Sequence, residues 1–344
     1  MAHTVVLHIG AMKSGTSTIQ HQLQHHPEVL AAQGFRFPGH RWRQQILGVL
    51  DVLDQTRDGQ VVPGSEGAWQ RLLDELAAFE GTGVISMEFL GPTPPDYIAT
   101  VVDSLAPARV QVVMTARDLG RNVPAMWQEG LKNRATWTWP EYLADIATTE
   151  KPRAGHARRF WRQMNYPFIV EKWLQVVGRD AFTLVTVPHP GAGPGVLWDR
   201  FCSVVGLKAH DFPPVEVQNV SLSAASAQVL RALNETLPQD LPLVHYQKVV
   251  KHLLAKQGMP APTGPADRIG FSAEWVEARA ARQIARLRAL DVPVVGDLEE
   301  LRPVAQAGID PTTCPPEEVL RAAVHSLAHL VGVWPTAQAL LGSP

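Results

Sequence analysis

The chain has 344 residues, a length that suits one large domain or a domain with an appended subdomain. Hydrophobic residues make up 45% of the chain and charged residues 19%, which indicates a folded globular protein and argues against disorder. The 31 basic and 33 acidic side chains give a net charge of −2, so the overall charge favours neither nucleic acid nor an anionic membrane as a partner. An anion would have to bind at a local site.

The N-terminal residues lack the basic start and the long apolar run of a signal peptide, because His8 and Lys13 interrupt the apolar residues. No segment approaches the roughly 20 consecutive apolar residues that span a bilayer, so we expect a cytoplasmic protein with no membrane partner. Cys202 and Cys314 are the only cysteines, and two so far apart predict free thiols rather than a disulfide framework or a zinc site.

Short runs of mainly β-branched residues predict buried parallel strands. These runs lie at residues 5–9, 83–86, 110–115 and 182–187. Segments between them have the apolar spacing or the starting signals of helices. The alternation predicts an α/β fold, with a parallel sheet flanked by helices.

The C-terminal third is predicted to be mostly helical. Apolar residues recur at three- and four-residue spacing at residues 224–233, 246–255, 273–290 and 316–330. We expect an α/β core over residues 1–235 and a helical extension over residues 236–344 that packs on the core and does not fold alone.

A glycine-bearing loop follows the first predicted strand and precedes a predicted helix. Such a loop lies at the carboxyl end of a strand and the amino end of a helix, where backbone N–H groups and the helix dipole attract anions. The N–H groups of residues 15–18 and the hydroxyls of Thr16, Ser17 and Thr18 predict a cradle for one phosphate. Lys13 adds a positive charge to this loop.

The order of lysine and glycine distinguishes this loop from that of nucleoside triphosphatases, whose pattern G-x-x-x-x-G-K-[S/T] places the lysine after the glycine. The matching residues here are Lys13, Ser14, Gly15, Thr16, Ser17 and Thr18. This run resembles the K-[S/T]-G-[S/T]-[S/T] loop of sulfotransferases that use 3′-phosphoadenosine 5′-phosphosulfate (PAPS). The resemblance implies a P-loop-like sheet, PAPS as the donor bound by these six residues, and no metal. It also implies that Lys13 stabilises charge on the bridging oxygen as the sulfuryl group departs.

A donor with a 3′-phosphate needs a second anion site, and Arg117 follows the third predicted strand. In the sulfotransferases that the chain resembles, such an arginine and a serine eight residues later hold the 3′-phosphate. Ala125 stands at the second position here, so that serine contact is lost or replaced. Arg121, Asn122 and Gln128 are the candidates to replace it, and Arg121 is included in the predicted donor site.

Transfer to a hydroxyl requires a general base near the sulfuryl group. Glu88 is our candidate, since it follows the second predicted strand at the same carboxyl edge as Lys13 and Arg117. A glutamate that only caps the next segment is the alternative. The resemblance allows glutamate or histidine in this role, and His8 is the second candidate, although a histidine on a buried strand is more often a hydrogen-bonded core residue.

Residues 198–201 and 294–298 are similar to segments of bacterial sulfotransferases with long helical tails. We expect a metal-independent sulfotransferase that acts on a small-molecule or sugar hydroxyl, while the acceptor and the oligomeric state stay open. A magnesium-dependent small-molecule kinase is one alternative, with Asp118 as the metal ligand. A nucleotide-binding protein without turnover is the other, suggested by Ala125. Two histidine pairs at helical spacing have no third ligand nearby, so no metal site is predicted.

Overall fold

The computed structural model describes residues 1–57, 59–148, 155–215 and 221–333. The chain divides into two compact units, each assembled from three separate segments. The first unit contains Met1–Asp118, Arg162–Val217 and Ala278–Arg302, and the second contains Leu119–Trp161, Gln218–Glu277 and Pro303–Pro344. Whether residues 236–344 can fold without the rest stays a prediction. Within the described ranges, no helix combines the length and the apolar character needed to cross a membrane.

The first unit is built around a parallel sheet. The strands of the chain are β1 (Thr4–His8), β2 (Phe35–Arg36), β3 (Thr56–Arg57), β4 (Gln60–Val61), β5 (Thr82–Ser86), β6 (Arg109–Ala116), β7 (Phe182–Thr186) and β8 (Val294–Val295). Strands β3 and β4 form a separate antiparallel pair. The other six form one sheet in the order β2-β5-β1-β6-β7-β8, and every neighbouring pair is parallel.

Helices form most of the other described elements of the two units. They are α1 (Thr16–His25), α2 (Pro27–Ala32), α3 (Trp42–Val52), α4 (Ala68–Ala77), α5 (Pro95–Ser104), α6 (Leu119–Lys132), α7 (Trp139–Thr148), α8 (Gly155–Met164), α9 (Tyr166–Val177), α10 (Val196–Val205), α11 (Ala224–Thr236), α12 (Leu243–His245), α13 (Glu274–Leu290) and α14 (Pro316–Gly332), with a helix of π type at Tyr246–Gly258. The predicted α/β class, the four predicted strands and the four predicted C-terminal helices are confirmed. Strands β2, β3, β4 and β8 were not predicted.

A hydrophobic core forms where α1 and α10 pack on the sheet. Its buried residues include Val6 and Val113 from the two central strands, Ile19 and Leu23 from α1, and Phe201 from α10. Ile19 and Leu23 lie four residues apart and therefore share one face of α1. Their burial fixes the start of α1 against the carboxyl end of β1.

A salt bridge holds the segment after β8 against β7. The guanidinium of Arg200 contacts both carboxylate oxygens of Glu300, at 2.6 and 2.9 Å, and also donates to the Thr186 carbonyl at 2.8 Å. The Thr186 hydroxyl donates to the same carboxylate. Both charged side chains are about four-fifths buried, and removing their charges from water costs free energy. The bidentate hydrogen bonds offset this cost.

The second unit has an aromatic core. Trp127 and Trp139 are buried, and their ring centroids lie 5.2 Å apart at an edge-on angle. Phe271 packs edge-on against Trp139 at 5.8 Å. The indole N–H of Trp127 donates to the Trp137 carbonyl at 3.2 Å, which satisfies its polar group inside the core.

Candidate functional site

The sheet reverses its winding direction between β1 and β6. The chain leaving β1 passes through α1 and α2 to β2 on one side, whereas the chain leaving β6 continues to β7 on the other side. Open α/β sheets bind ligands at the carboxyl ends of strands on either side of such a reversal. The loop that carries Lys13 follows β1 and Arg117 follows β6, so the sheet places both predicted anion-binding segments at this point.

The loop after β1 is tied to β6 by backbone hydrogen bonds. The N–H of Ile9 donates to the Val113 carbonyl at 3.0 Å, and the N–H of Ala11 donates to the Thr115 carbonyl at 2.6 Å. In return, the N–H of Thr115 donates to the Gly10 carbonyl at 2.5 Å. The pairing of β1 with β6 therefore continues past His8 into the loop. It reaches Thr115, which is two residues before Arg117 in the sequence.

Side-chain hydroxyls reinforce this connection. Ser14 is fully buried, and its hydroxyl donates to the Ala11 carbonyl while lying 2.7 Å from the hydroxyl of Thr115. The Thr115 hydroxyl donates to the Gly10 carbonyl at 3.0 Å. The hydroxyl of Ser14 therefore shapes the loop from inside, and a direct contact of Ser14 with a ligand stays a prediction.

His8 lies beneath the loop and links three strands. Its Nδ1 is 2.7 Å from the Ser86 hydroxyl and its Nε2 is 3.3 Å from the Thr115 hydroxyl. Since Thr115 donates to Gly10, we assign the proton to Nε2, with Ser86 donating to Nδ1. Complete burial lowers the pKa of His8 to about 3. His8 is thus a neutral, hydrogen-bonded core residue, the role that is more common for a histidine on a buried strand.

The start of α1 is open to an anion. Gly15 precedes the helix with φ of 80°, in the left-handed region, and no described side chain caps the helix. Its first turn contains no acidic residue. The left-handed backbone favours glycine here, and a Cβ on Gly15 would lie 2.3 Å from the Cδ2 of Leu197 in α10, so that side chain would have to move. The N–H of Thr18 already donates to the Gly15 carbonyl at 3.0 Å, and the positive end of the helix dipole lies at this turn.

The side chains around this turn differ in exposure. Thr16 is buried, whereas Ser17, Thr18 and Lys13 are half-buried. Lys13 has φ of 61°, a left-handed conformation that costs a non-glycine residue roughly 1–2 kcal/mol. The role of Lys13 in binding the donor stays a prediction.

Glu88 lies against the same loop. It begins a short 3₁₀ helix, Glu88–Leu90, just after β5, and the preceding Met87 donates its N–H to the His8 carbonyl at 2.9 Å. A Cβ on Gly10 would lie 3.0 Å from the Cβ of Glu88, so the two backbones approach closely. Gln20 of α1 donates from its amide to a carboxylate oxygen of Glu88 at 3.2 Å and to the Ser86 carbonyl at 3.1 Å.

Arg117 is half-buried at the end of β6. Its carbonyl accepts a hydrogen bond from the Tyr166 hydroxyl of α9 at 2.7 Å, which fixes the turn after the strand. Arg121, Asn122 and Ala125 all lie on α6, which belongs to the second compact unit. The first unit therefore brings together the loop, Glu88 and Arg117.

Gln128 has its own partner within the second unit. Its side-chain carbonyl accepts the N–H of Leu222 at 2.9 Å. This bond occupies one of the groups that Gln128 would need in order to replace the missing serine contact. Among the described residues, no group of three or more His, Cys, Asp and Glu side chains is arranged to hold a metal ion.

Two residues of the site, Thr115 and Gln20, were not predicted from the sequence. Thr115 is a polar residue in an apolar strand, and Gln20 follows Ile19 on the buried side of α1, where it is 3% exposed. A polar side chain at a predicted core position was the available signal.

Comparisons with known proteins give a structural likeness. No protein-family model matches the sequence, and no curated protein matches it. The fold is similar to that of a sulfotransferase from Alicyclobacillus acidocaldarius, with a TM-score of 0.46 and 17% sequence identity over 84% of this chain and 96% of that chain. At this level of likeness, function has to be argued from the residues of the site.

Proposed function

We propose that this protein transfers the sulfuryl group of PAPS to a hydroxyl of a small-molecule or sugar acceptor. The observation that carries the proposal is the position of the Lys13 loop and Arg117 on the adjacent strands β1 and β6, where the winding of the sheet reverses. PAPS has two separate anionic groups, and two separate cationic segments suit it.

The loop would bind the 5′-phosphosulfate. The uncapped first turn of α1 offers N–H groups, and Thr16, Ser17 and Thr18 offer hydroxyls to the same phosphate. Arg117 would pair with the 3′-phosphate, with Arg121 as the candidate for a second contact. Guanidinium groups suit this task because they bind phosphate oxygens in pairs.

The proposed reaction is an in-line displacement at sulfur. The acceptor oxygen forms a bond to sulfur as the bond from sulfur to the bridging oxygen breaks, and that electron pair stays on the bridging oxygen of the departing 3′-phosphoadenosine 5′-phosphate (PAP). Glu88 takes the proton of the acceptor hydroxyl. Lys13 stabilises the charge on the bridging oxygen, so this mechanism uses no metal.

Calorimetric titration tests the donor site. PAP and ATP are each titrated with and without magnesium into the wild type, Lys13→Ala, Arg117→Ala and Arg109→Ala. We expect PAP to bind without magnesium and Arg117→Ala to weaken binding by about 1.5–3 kcal/mol, the value for a hydrogen bond to a charged group. Arg109 is the matched control, because it is exposed at the opposite end of the same strand.

Two outcomes would overturn the proposal. Binding of ATP with magnesium in place of PAP would favour the kinase alternative, although Asp118, its candidate metal ligand, is fully buried. Tight PAP binding without transfer to any hydroxyl would favour a nucleotide-binding protein. A cytoplasmic location, like the lack of a nucleic-acid partner, stays a prediction.

A further inference from the structure

Three basic side chains follow an edge strand of the sheet and are not part of the proposed donor site. His40, Arg41 and Arg43 follow strand β2, and all three are exposed. We call them the basic rim. Since β2 runs parallel to its neighbour β5, its carboxyl end lies at the same edge of the sheet as Glu88.

Gln45 of α3 fixes the rim against the end of β5. Its side chain is fully buried, and its amide donates to the Pro38 carbonyl at 3.1 Å and to the Val84 carbonyl at 3.2 Å. Its side-chain carbonyl accepts the N–H of Ser86 at 2.8 Å. The first turns of α3 are therefore held next to the strand end that precedes Glu88 by two residues.

A second connection runs through α1. The N–H of Trp42, which lies between Arg41 and Arg43, donates to the side-chain carbonyl of Gln24 at 2.8 Å. Gln24 is one helical turn from Gln20, the residue that contacts Glu88. The rim and Glu88 are thus attached to neighbouring turns of the same helix.

The charge of the rim is not neutralised by the described part of the chain. None of its three side chains forms an ion pair there, and the first turn of α3 contains no acidic residue. The nearby carboxylate of Glu75 is engaged by Arg36 at 3.7 Å and by the N–H of Gly39 at 3.0 Å. Arg41 and Arg43 are always charged and exposed, so this segment favours an anion from outside the chain.

The order of the strands indicates whether the rim lies on the donor side or the acceptor side of Glu88. Across the sheet the order is β2, which precedes the rim, then β5, which precedes Glu88, then β1, which precedes the Lys13 loop, and then β6, which precedes Arg117. With strands about 4.8 Å apart, β2 lies about 10 Å from β1 and about 14 Å from β6. Both phosphate sites of the donor are on one side of Glu88, and the rim is on the other side.

We propose that the acceptor is anionic, and that the basic rim binds its carboxylate or sulfate group while the reacting hydroxyl lies at Glu88. This inference rests on the proposed function. An arginine binds a carboxylate or sulfate through two parallel hydrogen bonds. The rim would therefore select among acceptors by charge and orient the one that it binds.

The test compares sugars that differ in one anionic group at C6. Calorimetry measures binding to the complex with PAP for 4-nitrophenyl β-D-glucuronide against the corresponding glucoside, and for D-glucose 6-sulfate against D-glucose. The first pair tests a carboxylate and the second a sulfate. We expect the anion of at least one pair to bind about tenfold or more tightly than its neutral partner in the wild type.

Substitutions then assign the preference to the rim. We expect Arg41→Gln with Arg43→Gln to reduce the affinity ratio to about one and to leave PAP affinity within about twofold. The side chain of Arg41 makes no capping hydrogen bond within the described residues, so its loss leaves α3 intact. Arg109→Gln, which removes a charge from the opposite end of the sheet, should keep the full ratio.

Each outcome separates this inference from the function on which it rests. If PAP fails to bind, the proposed function and the anionic acceptor are both wrong. If PAP binds and Arg117→Ala weakens it, but neither anion is preferred in the wild type, only the anionic acceptor is wrong. A preference that survives in the double variant would also overturn the role of the rim.

Discussion

The side-chain oxygens of Ser14 and Thr115 lie 2.7 Å apart, although the residues are 101 positions apart in the sequence. Thr115 also donates to the Gly10 carbonyl and lies within 3.3 Å of His8 Nε2. One hydroxyl therefore joins the loop, its supporting histidine and strand β6.

Thr115→Val removes this hydroxyl and keeps the shape of the side chain. We expect the free energy of unfolding in urea to fall by about 1–3 kcal/mol, because buried polar partners lose a hydrogen bond. PAP affinity should fall as well, since the loop loses its anchor. Thr115→Ser keeps the oxygen, so it should retain most of the free energy of unfolding and most of the PAP affinity. Equal losses in the two variants would show that the hydroxyl does not anchor the loop.

Gly15→Ala tests the fit between the loop and α10. The left-handed backbone at Gly15 costs alanine about 1–2 kcal/mol, and the new methyl group would collide with Leu197. We expect lower stability and weaker PAP binding. Adding Leu197→Ala removes the collision and leaves the backbone strain, so the double variant should recover part of the PAP affinity lost by the single variant. No recovery would mean that the collision is not the cause.

The fold could be predicted where buried strands form runs of mainly apolar and β-branched residues. β1, β5, β6 and β7 have five to eight residues each and were visible as such runs. β2 and β8 have two residues each, too few to show any period. Their places at the sheet edges depend on tertiary contacts, such as the pairing of Arg200 with Glu300 that holds the segment after β8.

The predicted site residues share a local signal. Lys13 and Gly15 belong to one short motif, while Glu88 and Arg117 each follow a recognisable strand. Gln20 gave no such signal, because its bond to Glu88 joins residues 68 positions apart. The basic rim was not predicted for a similar reason. Its proximity to Glu88 depends on the pairing of β2 with β5, which the sequence pattern does not show.

Gln20→Leu tests how Glu88 is oriented. The Gln20 amide lies 3.2 Å from the Glu88 carboxylate, so we expect its loss to lower kcat for sulfuryl transfer about tenfold, with PAP affinity within about twofold of the wild type. A double-mutant cycle identifies the cause. If Gln20 acts through Glu88, Gln20→Leu has no further effect on kcat in a Glu88→Gln background, whereas additive losses would show an independent role.

Acidification should destabilise the protein through His8. Burial lowers the pKa of His8 from 6.5 to about 3, so between these values the unfolded chain binds a proton that the folded chain does not. The contribution of His8 to stability is therefore complete above about pH 6.5 and is lost as the pH falls toward 3. The loss is at most about 1.4 kcal/mol per pH unit.

Urea denaturation of the wild type and His8→Gln at several pH values between 7.5 and 4 measures this contribution. Glutamine offers a donor and an acceptor for Thr115 and Ser86 but does not titrate, so subtracting the two curves isolates His8 from the carboxylates that titrate in both proteins. We expect the advantage of the wild type to shrink steadily below about pH 6.5. Parallel curves would mean that the folded protein protonates His8 as easily as the unfolded chain, and the neutral link between the three strands would then be wrong.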